Sequence, residues 1–578
     1  MASSLQNSPT TIENRHGLQE QANKLYTNRK VFQDLIHGKV ELHPVCVRII
    51  NTPQFHRLRH IKQLGTCYYV YPTACHNRFE HSIGVSYLAG KLVRKLKERQ
   101  PDENITGIDI LCVEIAGLCH DLGQGPFSHV FEKKFMPEMG NYFSHKATAR
   151  KMFEYMLECG DGRTLKEEIQ NILKDCHYPR FEENDFEFIK EMIDVPKDIS
   201  TGAWPYCGRT EEKSFLYEIV ANDRNGVDVD KWDYLARDSH MLGLHMTLDY
   251  ERCFTSARVI ESNGANGTNG TNDEHAIVPR KQICYREKDA IDLYDMFYAR
   301  LNLHRRAYQH KTHTVIGLMI CDVLKAANDS ILIGGKKITE TVDDMEAFTL
   351  LTDDVLQLIM HKKKEEDSRG KDNEQLDRAY QLIQDIMNRR LYKCVFETHC
   401  KDKKLTKADV LDGLKNCLKD KGVPENFFIV DVVKFNYGME NRNPLEKVRF
   451  YKKDELDKTF KLTKEQVSFV LPDTFEERII RIYCNMKDDS EKEIVLKVAE
   501  PFAKWCKDNQ CTDPEVKFHQ RKPNIRDLSQ PEGSDTHGIL YERTHKPLPE
   551  PSSGLSSLDQ PRSYDGEGID VRSQTTDQ

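Results

Sequence analysis

The chain has 578 residues, of which 38% are hydrophobic and 30% charged, with a formal net charge of −8. That length exceeds one ordinary core and the apolar fraction supplies a real interior, so a large body with a smaller appended lobe is expected. Net acidity excludes a general polycation, no apolar run reaches the length of a membrane span or forms a leader core, and the 17 cysteines include no C-x-x-C pair; a soluble intracellular protein with reduced thiols is expected, without a disulfide framework or cysteine zinc knuckle.

Residues 1–28 are polar and lack periodicity, which predicts a disordered N-terminal tail with order beginning near Lys30. A helix-rich core is expected over 29–335. Val85, Leu88, Ala89 and Leu92 follow His81 at helical spacing, and the run from Ile110 to Leu118 leads into His120. Two segments, Phe254 to Ile260 and Ala276 to Cys284, read as strands around a Gly/Asn-rich hairpin tip at 262–273. The charged run from His361 reads as a solvated connection or helix face. Residues 336–515 are expected to hold a helical connection and an α+β lobe, with β-type alternation over 427–452 and helical spacing over 473–506. Low aromatic content predicts a disordered tail at 516–578. There is no internal repeat.

Chemistry concentrates at His120-Asp121, which ends the apolar stretch IDILCVEIAGLCHD and precedes Leu-Gly-Gln-Gly-Pro-Phe-Ser-His129. Burying both groups without partners is costly, and a metal ion would resolve that cost. Neighbouring helical residues diverge by roughly 100°, so the two can converge on one ion only at a helix end, which the Gly-Gln-Gly-Pro turn provides. His81, opening another amphipathic helix, and Asp230, an acid among apolar neighbours, complete a candidate set of His81, His120, Asp121 and Asp230. Such mixed ligands suit Mn, Fe, Zn or Mg. A bound divalent ion acidifies water and polarises phosphoryl oxygens, so hydrolysis of a phosphoester is the expected step.

Four strings, HNRFEHS from His76, GLCHDLGQGPFSH from Gly117, FLYEIVANDRNGVDVDKWDYLARD from Phe215 and LHRRAYQHK from Leu303, together resemble the vertebrate sterile-alpha-motif and HD-domain dNTP triphosphohydrolase family, in a form lacking the N-terminal sterile-alpha-motif module. The resemblance runs from about residue 30 to 505. It implies a mainly α fold, an HD-domain helical phosphohydrolase core with a smaller α+β C-terminal lobe. It also implies a reaction, attack at the α-phosphate of a dNTP to give deoxynucleoside and inorganic triphosphate.

The same resemblance implies roles for individual residues. Arg78, Lys231 and Arg300 would bind the triphosphate, and Tyr308, with Tyr234, Asp238, His304 and Gln309 around it, would exclude a ribose 2′-hydroxyl. Gln63 and Leu64 would touch the 3′-hydroxyl and base end, His129 the phosphate, and His145 would serve in acid/base work. Three departures stand out. Gln124 replaces a histidine, Glu132 an aspartate, and Lys146 the glutamate after the active-site histidine. Gln124 would lose a direct acid/base role, and Lys146 would remove a carboxylate orienter from His145. Metal and nucleotide binding are expected to be retained, while the pair implies a slower enzyme, a changed substrate or loss of hydrolysis.

Tetramer assembly by nucleotides bound between subunits is likewise implied. Lys30, Val31, Asn51, His56, Arg59, Arg389, Leu391 and Lys393 fall on a guanine-nucleotide pocket. Asn51 replaces an aspartate there and His56 a glutamine, which weakens selection for guanine. Val70, Arg252, Arg286, Lys288, His310, Lys311 and Lys453 fall on a neighbouring dNTP pocket, where Gln33 and Asp292 each stand in place of asparagine. The expected ligands are thus a divalent metal (Zn, Fe or Mn), Mg with bound nucleotides, and GTP and dNTP as activators. Single-stranded nucleic acid is a secondary expectation, and a membrane partner is not expected. The resemblance further implies residence in the nucleus, with some cytoplasmic protein, and a role in limiting dNTP pools and viral replication as part of antiviral defence and innate immunity. Two other readings compete: a catalytically weakened nucleotide-gated assembly or nucleic-acid-binding protein, motivated by Gln124 and Lys146, and an HD phosphodiesterase acting on a cyclic or guanosine polyphosphate ligand.

Overall fold

The computed structural model describes residues 29–195, 204–262, 280–401, 405–419, 427–485 and 490–516. The two expected tails, apart from Val516, and the hairpin tip beyond Ser262 lie outside the described residues.

An N-terminal hairpin opens the described chain. Strand β1 (Lys30–Asp34) pairs antiparallel with β2 (Gly38–Leu42). Asp34 closes the turn by accepting from the backbone N–H of Ile36 and His37, each at 2.8 Å, an Asx-type device that suits a short loop. Helix α1 (Arg78–Arg99) starts where the Glu80 carboxylate accepts from the Asn77 N–H at 2.7 Å. Helix α2 (Gly107–Cys119) is apolar nearly all round and packs against α1. A helix hydrophobic on every side belongs at the centre of a core. Helix α3 (His145–Glu158) follows, and α4 (Val229–Met241), N-capped by Asp228, packs against α1.

The stretch read as a strand from Phe254 is helical in its first part. A short helix, Tyr250–Ser256, is N-capped by Asp249, and the strand β3 (Arg258–Ser262) begins only after it. The cap and the burial of Cys253 and Phe254 outweigh the strand propensity of the run. Strand β4 (Arg280–Arg286) pairs antiparallel with β3, as the hairpin reading requires. Helices α5 (Ala290–Leu303) and α6 (Lys311–Ala327) follow, separated by a π-helical turn at His304–Tyr308.

The charged run from His361 is the exposed end of α7 (Val355–Ser368), a turn, and the start of α8 (Glu374–Met387). Leu356, Ile359, Leu376, Leu382 and Ile386 join the same apolar interior as Ile316 and Ile320 of α6. The interior therefore runs on without a break at residue 335.

The C-terminal lobe contains β5 (Lys393–Cys400), α9 (Lys407–Leu418), β6 (Phe428–Asn436), β7 (Phe450–Lys452), β8 (Glu455–Phe460), β9 (Glu476–Cys484), α10 (Ser490–Asp508) and β10 (Glu515–Val516). One antiparallel sheet has the order β10-β5-β9-β6, and a second, β8-β7-β4-β3, joins the lobe to the core through a parallel β4–β7 pairing. The helical spacing read over 473–506 is correct for α10 but not for β9. Ile480 and Ile482 face a core with Val395, Val498 and Phe502, whereas Ile479 and Tyr483 on the opposite face join the main interior. A strand buried on both faces reads as a continuous apolar run, and spacing alone does not separate it from a buried helix.

One buried cation ties the later helices to the turn after His120. Arg57, 3% exposed, donates to the carbonyls of Leu351 at 2.9 Å, Leu122 at 3.4 Å and Gln124 at 2.7 Å. Its guanidinium lies 4.3 Å from the centre of the Phe348 ring. Arg57→Met leaves these carbonyls without donors and is expected to lower stability by about 3 kcal/mol, measured as a reduced midpoint in urea unfolding.

Candidate metal centre

Helix α2 stops at Cys119, and His120 caps it with its Nδ1 hydrogen-bonded to the Gly117 carbonyl at 2.8 Å. That bond makes Nδ1 the donor and turns Nε2 inward with its lone pair. His81, on the first turn of α1, is fully buried, and its Nδ1 donates to Asp233 Oδ2 at 2.7 Å. The ligand atoms of His81, His120 and Asp121 lie within 4.8 Å of one another. Asp230, near the start of α4, completes the group: its Oδ1 lies 3.1 Å from His81 Nε2 and 3.6 Å from His120 Nε2. All four residues read as ligands thus share one centre.

Both inward nitrogens, His81 Nε2 and His120 Nε2, are buried with no hydrogen-bond partner. Buried polar atoms are rarely left in that state, and two imidazoles with two carboxylates fit a divalent ion. The field around them agrees. Burial opposes charge on His81, yet Asp230 and Asp233 outweigh it and push the imidazole up to about 10. Burial likewise works to raise Asp121, but Arg78, His120, His81 and His145 hold it below the usual carboxylate range. The centre therefore attracts positive charge, which a cation would carry in place of protons.

The centre opens into a cavity of about 710 Å³. Its wall contains every residue read as substrate-binding: Gln63, Leu64, Arg78, Lys231, Tyr234, Asp238, Arg300, His304, Tyr308 and Gln309. Arg78 is bound to Asp121 at 2.6 Å and to Ser128 Oγ at 3.1 Å, so it touches metal ligand and cavity together. Lys231 pairs with Asp228 at 3.0 Å, and Arg300 donates to the Asn436 carbonyl at 2.9 Å. Also on the wall, the Tyr308 hydroxyl donates to Asp238 Oδ2 at 2.5 Å, while His76 Nε2 holds Oδ1 at 2.6 Å. Burial and Asp238 keep the Tyr308 phenol protonated well above its ordinary range. Gln63 Oε1 and Gln309 Oε1 are buried acceptors with no partner.

Sequence reasoning missed part of this wall. Lys133 and Lys134 come from a π-helical turn at Phe131–Phe135, and Lys434 comes from β6 of the lobe. No spacing in the sequence connects Lys434 to residues some three hundred positions earlier. The backbone of Phe127 and Ser128, with φ of 55° and 52°, stays in the left-handed region because Asp353 accepts from the Phe127 N–H at 2.6 Å and Ser128 Oγ donates to the Lys62 carbonyl at 2.8 Å.

The expectation that Lys146 deprives His145 of its carboxylate is corrected. Glu132 accepts from His145 Nδ1 at 2.8 Å and from its backbone N–H at 3.1 Å. The extra methylene of glutamate, which stood out as a departure, carries the carboxyl to the imidazole from another turn of chain. His129, more than half exposed, has its Nδ1 3.7 Å from the same carboxyl. Gln124 does not face outward as an acid or base would. Its Nε2 donates to Asp121 Oδ1 at 3.0 Å, and its Oε1 is buried without a partner.

The residues read as activator contacts form smaller groups on one chain. Lys30 and Val31 are exposed on β1, and Asn51 and His56 are exposed beside Arg59, whose Nε is 3.2 Å from His56 Nδ1. Arg389 donates to the Tyr69 carbonyl next to Val70, and Leu391 and Lys393 follow it into β5. Arg252 donates to the Lys288 carbonyl at 3.3 Å, near Arg286, which is paired with Tyr451 two residues before Lys453. Arg252 also meets Asp289 at 2.9 Å and Asp292 at 3.2 Å. His310 N-caps α6, and Lys311 pairs with Glu397 at 2.7 Å.

A helical body with paired His and Asp ligands at helix ends, open to a cation-lined cavity, defines the class of HD-domain proteins, and the HD domain family matches residues 78–238. "Deoxynucleoside triphosphate triphosphohydrolase SAMHD1" of Gallus gallus is 44% identical over 504 residues, 84% of this chain and 76% of that protein. The protein of the same name in Homo sapiens is 43% identical over 503 residues, covering 84% and 75%. A homolog in Dictyostelium discoideum is 34% identical over 474 residues, 81% of this chain and 80% of that one. The chain belongs to the SAMHD1 family, whose reach extends outside the vertebrates.

Two outcomes test the centre. Asp230→Ala is expected to weaken manganese binding by more than the roughly 10–100-fold typical of losing an outer hydrogen bond; undiminished metal content in the purified variant would remove Asp230 from the ligand set. For Glu132, burial works to raise the carboxyl, but His129 and His145 outweigh it and hold it below its ordinary 4.5. A depressed folded value means the pair stabilises fully above the unfolded pKa and less as pH falls through the folded one. The stability gap between wild type and Glu132→Gln should therefore be about 1–2 kcal/mol at neutral pH and shrink below pH of about 4, read from thermal melts across pH.

Proposed function

We propose that this cavity binds a dNTP with its α-phosphate at the His/Asp centre and hydrolyses it to deoxynucleoside and inorganic triphosphate. One observation carries the reading. His120, Asp121 and Asp230 of the centre line one cavity together with Arg78, Lys231, Arg300 and the hydrogen-bonded Tyr308–Asp238 pair. Three fixed cations suit a triphosphate, and a tyrosine held rigidly by a carboxylate leaves a deoxyribose face without room for a 2′-hydroxyl. The relatives' names, deoxynucleoside triphosphate triphosphohydrolase, support the same substrate class.

A divalent ion held by His81, His120, Asp121 and Asp230 supplies Lewis acidity toward a phosphoryl oxygen and acidifies water. This chain's own groups do the rest. Arg78 orients Asp121 while remaining in reach of an anion, and Lys231 and Arg300 neutralise the outgoing triphosphate. His145, with Nδ1 engaged by Glu132, keeps Nε2 for proton transfer to the leaving oxygen. His129 stands beside that pair as a phosphate contact. Gln124 steadies Asp121 in place of a titratable group, which supports a slower enzyme.

The reading extends to regulation. GTP and dNTP activators would bridge the exposed groups between subunits and assemble a tetramer, with Asn51 and His56 weakening guanine selection. Zn, Fe or Mn at the centre, Mg with the nucleotides, residence in nucleus and cytoplasm, a secondary affinity for single-stranded nucleic acid, and control of dNTP pools and viral replication complete the proposal.

Purified full-length protein with manganese and mixed dNTPs, with and without GTP, should release inorganic triphosphate. Tetramers without product would favour the nucleotide-gated assembly protein instead. Gln124→His should raise turnover by about 100-fold, the lower end of what a positioned acid or base contributes; unchanged turnover would clear Gln124 of limiting the rate.

A further inference from the structure

The metal centre is backed by a buried polar chain that no site assignment uses. Asp233 lies one turn after Asp230 on α4 and is fully buried. Its Oδ2 accepts from His81 Nδ1 at 2.7 Å and from Arg237 Nε at 2.9 Å. Its Oδ1 accepts from Arg237 Nη2 at 2.9 Å and lies 2.7 Å from His37 Nε2. Arg237 in turn donates to Asp34 Oδ2 at 2.9 Å. Both Asp34 and His37 belong to the N-terminal β1–β2 hairpin, far from the HD segment in sequence.

The arrangement leaves no slack. An ionised carboxylate only accepts, so His37 donates from Nε2, and its Nδ1, 3.3 Å from the Tyr250 hydroxyl, accepts there. The side chains of His37 and Asp233 are 0% exposed, so water cannot replace the bond. Space is equally committed. A Cβ at Gly84, one turn after His81, would stand 1.9 Å from Asp233 Oδ1. Four donors from three side chains thus lock one carboxylate, and that carboxylate sets the ring orientation and proton placement of His81.

We infer that His37 is a positioning residue for the metal centre, clamped onto Asp233 by the N-terminal hairpin so that His81 presents Nε2 to the ion. It rests on the reading of the centre as a metal site. Outer partners of ligating histidines commonly govern affinity, and the partner here, Asp233, is held in place partly by His37 from a separate hairpin rather than by the HD helices alone. The hairpin is therefore part of the metal site's construction, and its seating governs how tightly the ion is held.

The test uses full-length protein stripped of metal and titrated with manganese, followed by calorimetry and by the electron paramagnetic signal of free Mn²⁺. His37→Leu keeps volume and removes the donor, and His37→Gln keeps a donor at the same reach. The leucine variant should bind manganese about 10–100-fold more weakly while the glutamine variant stays within about threefold of wild type. A folded leucine variant within about twofold of wild type overturns the inference. Should that variant not fold, Asp34→Asn, which turns the acceptor facing Arg237 into a donor, is read by the same criterion. Wild type that takes up no manganese overturns the metal centre itself, a result distinct from equal binding by wild type and variant.

Discussion

Carboxylates buried among apolar helices must be neutralised, and the way this chain neutralises Asp121 and Asp233 organises much of the molecule. Asp121 is met by Arg78, Gln124 and the two inward imidazoles. Asp233 is met by Arg237, His37 and the outward nitrogen of His81. One imidazole therefore lies between two opposed carboxylate sites, its two nitrogens assigned opposite tasks. The packing obeys the same demand. Gly84 lets α4 approach α1 closely enough for Asp233 to reach its partners, and a Cβ at Gly123 would collide with the His145 carbonyl at 2.0 Å, so α3 also depends on a missing side chain.

Rigidity at the centre is borrowed from distant chain. The turn after His120 cannot satisfy its own carbonyls, and Arg57 does so while resting on Phe348. The left-handed residue Phe127 is held by Asp353, two residues after Leu351, whose carbonyl also accepts from Arg57, and Ser128 is held by its bond to the Lys62 carbonyl. The α+β lobe contributes Asp431, Val432, Val433 and Lys434 to the cavity wall; Val433 and Phe435 on one face of β6 join the main interior, while Phe428 and Val430 on the other pack in the lobe's own core. The lobe is thus one wall of the site as well as an appended domain.

The departures from the family pattern have different physical weights. Glu132 and Lys146 change the route by which His145 receives a carboxylate, yet the bond itself is made. Gln124 exchanges a titratable ring for an amide that bonds Asp121 and leaves one oxygen buried and unsatisfied. The first change preserves an orientation; the second puts an amide where the family pattern has a titratable ring beside the candidate centre.

Local sequence sufficed for whatever depends on neighbours along the chain. The end of α2 at His120, the start of α1 before His81, the four candidate ligand positions and the pairing of β3 with β4 follow from spacing, apolar runs and turn residues. The helical start at Tyr250 did not, because the Asp249 cap sets it; nor did the doubly buried strand β9, where burial on both faces erases the period that separates helix from strand, or the continuation of the interior past residue 335, which tertiary packing decides. The partners of the site were equally hidden. Glu132 beside His145, His37 behind Asp233 and Lys434 in the wall each join segments that no periodicity links. Residue types and local spacing determine which groups are able to ligate, whereas only tertiary contact decides which carboxylate a given imidazole faces, and in this protein that choice sets proton placement and charge at the centre.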